Sequence, residues 1–127
     1  MNNEQHGVKI TFVGVSAREA SLAATELRTI LVDVVGDELA ASLERDNQDA
    51  LDAGSTLMLL FGTPAAIAIA AGIRAFLGKR PAYRDAIMIK TAEGDEFIAA
   101  GGGIDKLDAH ALVEALQRGR AKGKPAK

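Results

Sequence analysis

AGSTLMLLFGTPAAIAIAAGI, residues 53–73, is a run of 21 residues without one charged side chain. Asp52 precedes it and Arg74 follows it. A helix needs about 20 largely apolar residues to span a bilayer, so the length permits a membrane span. Such a run is also typical of the buried centre of a soluble domain, and the choice between the two decides the class of fold.

A break at the centre of this run favours the soluble core. Gly62 can end one element, Thr63 can cap the next, and Pro64 suits the first position of a helix, where its missing amide has no cost. The two pieces that remain are each too short to cross a membrane. A hairpin of residues 53–77 that inserts into lipid is the alternative.

The two pieces differ in how clearly their structure can be predicted. Residues 64–77 are rich in alanine and are followed by Gly78, which predicts a buried helix. Residues 53–61 form a short apolar run, for which periodicity cannot separate a helix from a buried strand. Of these two structures we favour the helix.

Upstream, Val8–Val15 alternates in side-chain character and is rich in β-branched residues, which predicts a strand with at least one buried face. Ser16 can cap a helix, and Glu19 three positions later completes a capping box. Apolar residues then recur every three or four positions up to Gly36, a residue type that ends helices. We therefore predict a helix over residues 17–35.

Downstream, two strands are predicted over residues 87–91 and 96–100. They flank Glu93-Gly94-Asp95, a sequence suited to the turn of a hairpin. Three glycines, Gly101–Gly103, then form a flexible joint before a final amphipathic helix. The sequence therefore predicts a hairpin followed by a helix at this end of the chain.

Together these elements predict a domain of the α+β class. Its small sheet would consist of the N-terminal strand and the C-terminal hairpin, with residues 40–45 as an edge strand or a helical turn. About four helices would pack on this sheet, including the alanine-rich buried helix 64–77. We expect one domain over residues 1–117, because a chain of 127 residues has no room for a second.

Charge and cysteine content restrict the function. Residues 118–127, RGRAKGKPAK, hold five of the 15 basic residues and no acidic one, so residues 1–117 carry 10 basic and 17 acidic residues. We interpret 118–127 as a flexible, solvated basic tail, and we do not expect nucleic acid as a partner. With no cysteine, the chain has no disulfide and no thiol nucleophile, which is typical of a cytoplasmic protein.

The chain carries no recognised catalytic motif. His6 and His110 are its only histidines, and neither lies in a metal-ligand spacing such as HExxH. Ser16 is better explained as a helix cap than as a nucleophile, because FVGVSAR lacks the second glycine of a GxSxG turn. We therefore expect that the chain is not an enzyme and that it binds no cofactor and no metal. A nucleotide-binding enzyme that uses Gly101–Gly103 is a further alternative, although no GxxxxGK[ST] motif is present.

One cluster of basic residues in the body of the chain is a candidate site. It consists of Arg74, Lys79, Arg80 and Arg84. Such a cluster is suited to docking an acidic protein partner, and we take it as the candidate docking patch. The low aromatic content of 4% and the many alanines also suggest that a protein partner or a second copy completes some apolar surface.

The order of these parts resembles the effector-associated constant component family of bacterial conflict systems. The resemblance covers residues 8–117 and rests on Asp52, Gly54, Phe61-Gly62 and Phe76-Leu77-Gly78-Lys79-Arg80. Family members often have Trp at the place of Phe76. The resemblance implies a non-enzymatic adaptor of a bacterial defence system, which couples an effector to its activator by protein–protein binding. It carries over no catalytic residue.

Overall fold

The computed structural model describes residues 5–45, 55–91, 97–100 and 109–118, which include five strands and three α-helices. The strands are β1 (Gln5–Phe12), β2 (Leu39–Arg45), β3 (Ser55–Gly62), β4 (Ile87–Thr91) and β5 (Phe97–Ala100). The helices are α1 (Ala17–Val35), α2 (Ala65–Lys79) and α3 (Ala109–Arg118). Single 3-10 turns at Gly36–Glu38 and Pro81–Tyr83 precede β2 and β4.

The strands form one antiparallel sheet in the order β2-β3-β1-β4-β5. Strands β3, β1 and β4 are therefore inner strands with a neighbour on each side. The succession β1-α1-β2-β3-α2-β4 is the split βαβ, or ferredoxin-like, arrangement, in which β3 is inserted between β1 and β2. The strand β5 and the helix α3 extend this arrangement at its C-terminal end.

One face of the sheet forms the floor of the hydrophobic core. In the pair of β1 and β3, Val8 lies opposite Leu59 and Ile10 lies opposite Leu57, and these four side chains are fully buried. Ile10 also lies opposite Ile89 of β4. All three helices contribute buried residues to the same cluster, so the helices form a layer over this face.

The Ser16 cap and the Gly36 stop of α1 act as predicted. Ser16 Oγ accepts a hydrogen bond of 3.0 Å from the backbone N–H of Glu19. At the other end, Gly36 has a φ of +82° and donates its N–H to the carbonyl of Val32. A positive φ of this kind favours glycine, which explains why the helix ends there.

The preference for a helix over residues 53–61 is wrong, because residues 55–62 form β3. The described residues consequently contain three α-helices instead of about four, although the α+β class is confirmed. Met58 and Leu60 alternate with the buried residues of β3 and are themselves half-buried on the opposite face. Because these positions are apolar too, the alternation typical of a strand is hidden in the sequence.

The other predicted strands are found. Residues 39–45 form the edge strand β2, and the strands predicted over 87–91 and 96–100 pair as β4 and β5. The predicted hairpin turn and the glycine joint lie outside the described residues. Residues 119–127 of the predicted basic tail also lie outside them, whereas Arg118 ends α3.

The helix predicted over residues 64–77 is found as α2, although it continues through Gly78 to Lys79. It is not buried on all sides. Eight of its residues are buried, whereas the side chain of Ile67 is 65% exposed. The physical reason is that α2 belongs to an outer layer, with one side on the sheet and the other side toward solvent. Within the described ranges, the helices all fall short of the length and apolar character that a membrane span requires.

The helices α1 and α2 pack side by side in antiparallel directions. A Cβ added to Gly72 of α2 would lie 2.5 Å from Leu31 Cδ2 and 3.5 Å from Val34 Cγ2 of α1. Toward the other end of the pair, Arg80 reaches Glu26 near the middle of α1. The absence of a side chain at Gly72 therefore lets the two helices approach closely.

Candidate functional site

The structure places the candidate docking patch at the C-terminal end of α2. Arg74 and Lys79 belong to α2, Arg80 follows its last residue, and Arg84 follows the adjoining 3-10 turn. All four residues are exposed. Arg74 and Lys79 are five positions apart, so they lie on different sides of the helix. The four residues therefore flank the end of α2 and do not form one compact patch.

Arg80 is held by an acidic residue of the same chain. Its Nε donates to both carboxylate oxygens of Glu26, at 3.0 and 3.2 Å. The side chains of Arg80 and Glu26 remain 54% and 33% exposed. An ion pair this accessible contributes at most about 1 kcal/mol to stability. A carboxylate of a partner can therefore replace Glu26 at small cost.

An open groove of about 450 Å³ lies beside this ion pair. It is lined by Leu22, Ala23, Thr25, Glu26, Arg80 and Tyr83. The Tyr83 ring stacks on Phe76 with 5.9 Å between centroids and meets Phe12 edge-on at 5.4 Å, so this wall is held in place. Leu22, 59% exposed, supplies an apolar rim.

The outer side of α2 carries an exposed apolar surface that the sequence did not predict. Ile67, Ala71 and Ala75 recur every four positions on α2, and all three are exposed. On α1, Leu22 is 59% exposed and lines the groove. We call these four residues the α1–α2 surface. The sequence did contain a signal, the lack of polar residues at these positions of α2, but burial explains the same pattern.

Charge is unevenly distributed around the α1–α2 surface. Residues 53–84 contain no acidic residue and four basic ones. Beside them, α1 carries Glu26, which contacts Arg80, and Asp33, which follows about two turns later on the same side of the helix. Of these two acidic residues, Glu26 lies beside the basic residues at the C-terminal end of α2.

The histidines and Ser16 have settings that fit structural roles. His6 is buried, and its Nε2 lies 2.8 Å from Thr63 Oγ1. The prediction that Thr63 caps α2 is wrong, because Pro64 holds the cap position and no side chain bonds the end of the helix. His110 is exposed, 3.8 Å from Glu114. Among the described residues, no group of three His, Asp or Glu side chains is placed to hold a metal ion.

The fold by itself does not assign a function, because the same architecture supports many unrelated activities. Comparison of the chain with known protein families, with curated proteins and with solved structures finds no match. The features of this chain that bear on function are therefore its groove, its charges and the α1–α2 surface.

Proposed function

We propose that this chain is a non-enzymatic adaptor that acts by protein–protein binding through the α1–α2 surface. The observation that carries the proposal is the outer side of α2, where Ile67 is 65% exposed. A helix that is apolar on all sides is normally buried, and an exposed apolar patch marks a site of contact. A partner protein that covers this side would bury its apolar side chains, which the composition of α2 favours.

The groove and the basic residues give this contact its specificity. Leu22 at the rim and Tyr83 in the wall can hold an apolar side chain of the partner, a kind of anchored contact that dominates binding energies. Lys79 is exposed at the end of α2, and Arg80 can exchange Glu26 for a carboxylate of the partner. The matching surface is therefore apolar at its centre and acidic at its edge.

The biological setting comes from the resemblance to the effector-associated constant component family. In that setting the chain acts in the bacterial cytoplasm and couples an effector of a defence system to its activator. Among the residues that carry the resemblance, Lys79 and Arg80 are exposed near the groove, whereas Phe76 and Leu77 are buried. The exposed pair belongs to the basic residues that the proposal uses for specificity.

A photoreactive amino acid at position 67 tests the proposal in cells that naturally produce the chain. Val13 is the matched control position, because it is also apolar and is 42% exposed but follows β1. We expect cross-linking to protein at position 67 and not at position 13. Leu22→Glu in the same chain should reduce the yield about tenfold, because it places a charge beside an apolar anchor. Equal yields at both positions would contradict the proposal.

The alternative, insertion of residues 53–77 into a membrane, has less support. Strand β3 pairs with β1 on one side and β2 on the other, so insertion would remove an inner strand from the sheet. Cell fractionation with an alkaline wash of the membrane pellet distinguishes the two functions. We expect the chain in the soluble fraction, and retention in the washed membrane would replace the adaptor by a membrane effector.

A further inference from the structure

His6 is a buried ionisable side chain that the proposed function does not use. It is 2% exposed and lies on the helix-covered face of the sheet, with its ring centroid 5.7 Å from that of Phe61, the residue opposite it in β3. Its Nε2 lies 2.8 Å from Thr63 Oγ1, in the turn between β3 and α2. His6 therefore joins the first residues of β1 to the start of α2.

The end of α3 meets the same turn. Gln117, the residue before the last of α3, donates a hydrogen bond of 3.4 Å from its Nε2 to the backbone carbonyl of Thr63. Leu116 beside it is fully buried in the core. Thr63 is thus bonded through its side chain to β1 and through its carbonyl to α3. Three elements, β1, α2 and α3, meet at this point.

The surroundings of His6 disfavour a positive charge on its ring. A buried imidazolium loses its hydration, which favours the neutral form. Thr63 directly precedes Pro64, the cap residue of α2, so the ring lies beside the N-terminus of this helix, where the helix dipole is positive. Because both effects act in the same direction, the folded chain takes up a proton on His6 at a lower pH than the unfolded chain does.

The ionisable residues of the neighbouring strands and of α2 do not offset these effects. Strand β3 and the turn after it contain none, and those of α2, Arg74 and Lys79, come more than two turns after its start. Lys9 is three positions after His6 in β1, so it lies on the opposite face of the sheet. Lys90 of β4 is the residue opposite Lys9.

The charged residues of α1 and α3 at this end of the molecule are at the surface or basic. Exposed acidic residues are Asp33 of α1, Asp37 and Glu38 of the following 3-10 turn, and Glu114 of α3. His110, also exposed, lies 3.8 Å from Glu114, and α3 ends in the basic residue Arg118. Water and salt screen exposed carboxylates from a buried ring, so they give a charge on His6 little support.

We propose that His6, Thr63 and Gln117 form an acid-sensitive latch. While the ring of His6 is neutral, the latch holds the start of α2 and the end of α3 on β1, and proton uptake releases α3 from the sheet. A histidine in an unfolded chain takes up its proton at about pH 6.5. Because the folded chain resists this uptake, its stability falls as the pH drops below about 6.5. The latch does not involve the α1–α2 surface, so its test is independent of the proposed function.

Thermal unfolding of the complete chain at about pH 7.5 and about pH 5 tests the latch. His6→Gln keeps a side-chain nitrogen that can bond Thr63 but cannot take up a proton. Between the two pH values, the midpoint of the unaltered chain should fall by about 4 °C more than that of His6→Gln. His110→Gln is the matched control, because it removes the exposed histidine, and it should fall as far as the unaltered chain. An equal fall for His6→Gln and the unaltered chain would overturn the proposal.

NMR titration of the histidine rings covers the case in which His6→Gln does not fold. In the His110→Gln variant the remaining histidine signals belong to His6, which assigns them. We expect the ring of His6 to remain neutral at about pH 6 in the folded chain. Proton uptake by His6 at about pH 6.5 or above would overturn the proposal.

Release of α3 has a test of its own, because the chain has no cysteine. Ala115 of α3 and Ala24 of α1 are 4% and 0% exposed, so the thiols of the single variants Ala115→Cys and Ala24→Cys are hidden in the folded chain. Dividing their rates of reaction with dithiodipyridine removes the general effect of pH on thiols. From about pH 7.5 to about pH 5, the rate at position 115 should rise about tenfold relative to position 24, and His6→Gln should abolish the rise. A constant ratio would overturn the release of α3.

Discussion

Gly72 shows at the scale of one residue what holds the helical layer together. A Cβ at this position would lie 2.5 Å from Leu31 Cδ2, and Leu31 is fully buried, so its side chain cannot turn away without disturbing the core. We predict that Gly72→Ala lowers the free energy of unfolding by about 1 kcal/mol. Overpacking typically costs about 1–3 kcal/mol, which exceeds the gain of about 1 kcal/mol that alanine brings to a helix.

Gly78 is the matched control for this prediction. It lies in the same helix, but a Cβ at this position would have no atom within 4 Å. Gly78→Ala should therefore raise the free energy of unfolding by about 0.5–1 kcal/mol. Urea unfolding of dilute protein, followed by circular dichroism, measures both variants. If the two substitutions stabilise the protein equally, close packing does not limit position 72.

At the scale of elements, the start of α1 depends on a single side chain. Ser16 Oγ accepts the hydrogen bond from the backbone N–H of Glu19. Ser16→Ala should lower the free energy of unfolding by about 1 kcal/mol, because it leaves this N–H without its partner in the first turn. Ser16→Asp should retain the stability, since a carboxylate accepts the same bond. Equal midpoints of thermal unfolding for the alanine and aspartate variants would contradict the role of the cap.

The elements α1 and β3 show which parts of the fold could be predicted from the sequence. Every signal of α1 is local: a cap at Ser16, a regular apolar stripe, and Gly36 at the end. Strand β3 has no such signals, because both of its faces carry apolar side chains. What makes it a strand is hydrogen bonding to the preceding strand β2 and to β1, which is distant in sequence.

At the scale of the whole molecule, α3 is part of the same core as the central strand. Leu112 and Leu116 are fully buried and belong to the cluster that also contains Val8 of β1. We predict that Leu116→Ala lowers the free energy of unfolding by about 2–5 kcal/mol through lost burial and the cavity it leaves. Glu114→Ala, at an exposed position of the same helix, should change it by less than about 0.5 kcal/mol.

Two probes check whether this core unfolds as one unit. Circular dichroism follows the helices, and fluorescence of Tyr83, the single tyrosine, follows the aromatic contact with Phe12 and Phe76. We expect both signals to change at the same urea concentration, and Leu116→Ala to shift them together. A shift confined to circular dichroism would show that α3 unfolds on its own.

The candidate site could be predicted only in part. Clustering along the chain indicated Arg74, Lys79, Arg80 and Arg84, and all four are exposed at or near the end of α2. The α1–α2 surface was not predicted, because its residues on α2 are alanine and isoleucine, which a sequence pattern assigns to a core. The pairing of Arg80 with Glu26 joins residues far apart in sequence, so no local pattern could show it.

The sequence by itself determined the α+β class and the bounds of α1, because caps, stops and periodicity act within a few residues. Only the tertiary structure decided that residues 55–62 are a strand and which side of α2 is covered. Ile67 and Ile69 show the difference: they are the same residue type, two positions apart in one helix, yet Ile69 is fully buried and Ile67 is 65% exposed. Composition sets how favourable burial is, but the neighbours that provide burial come from distant parts of the chain.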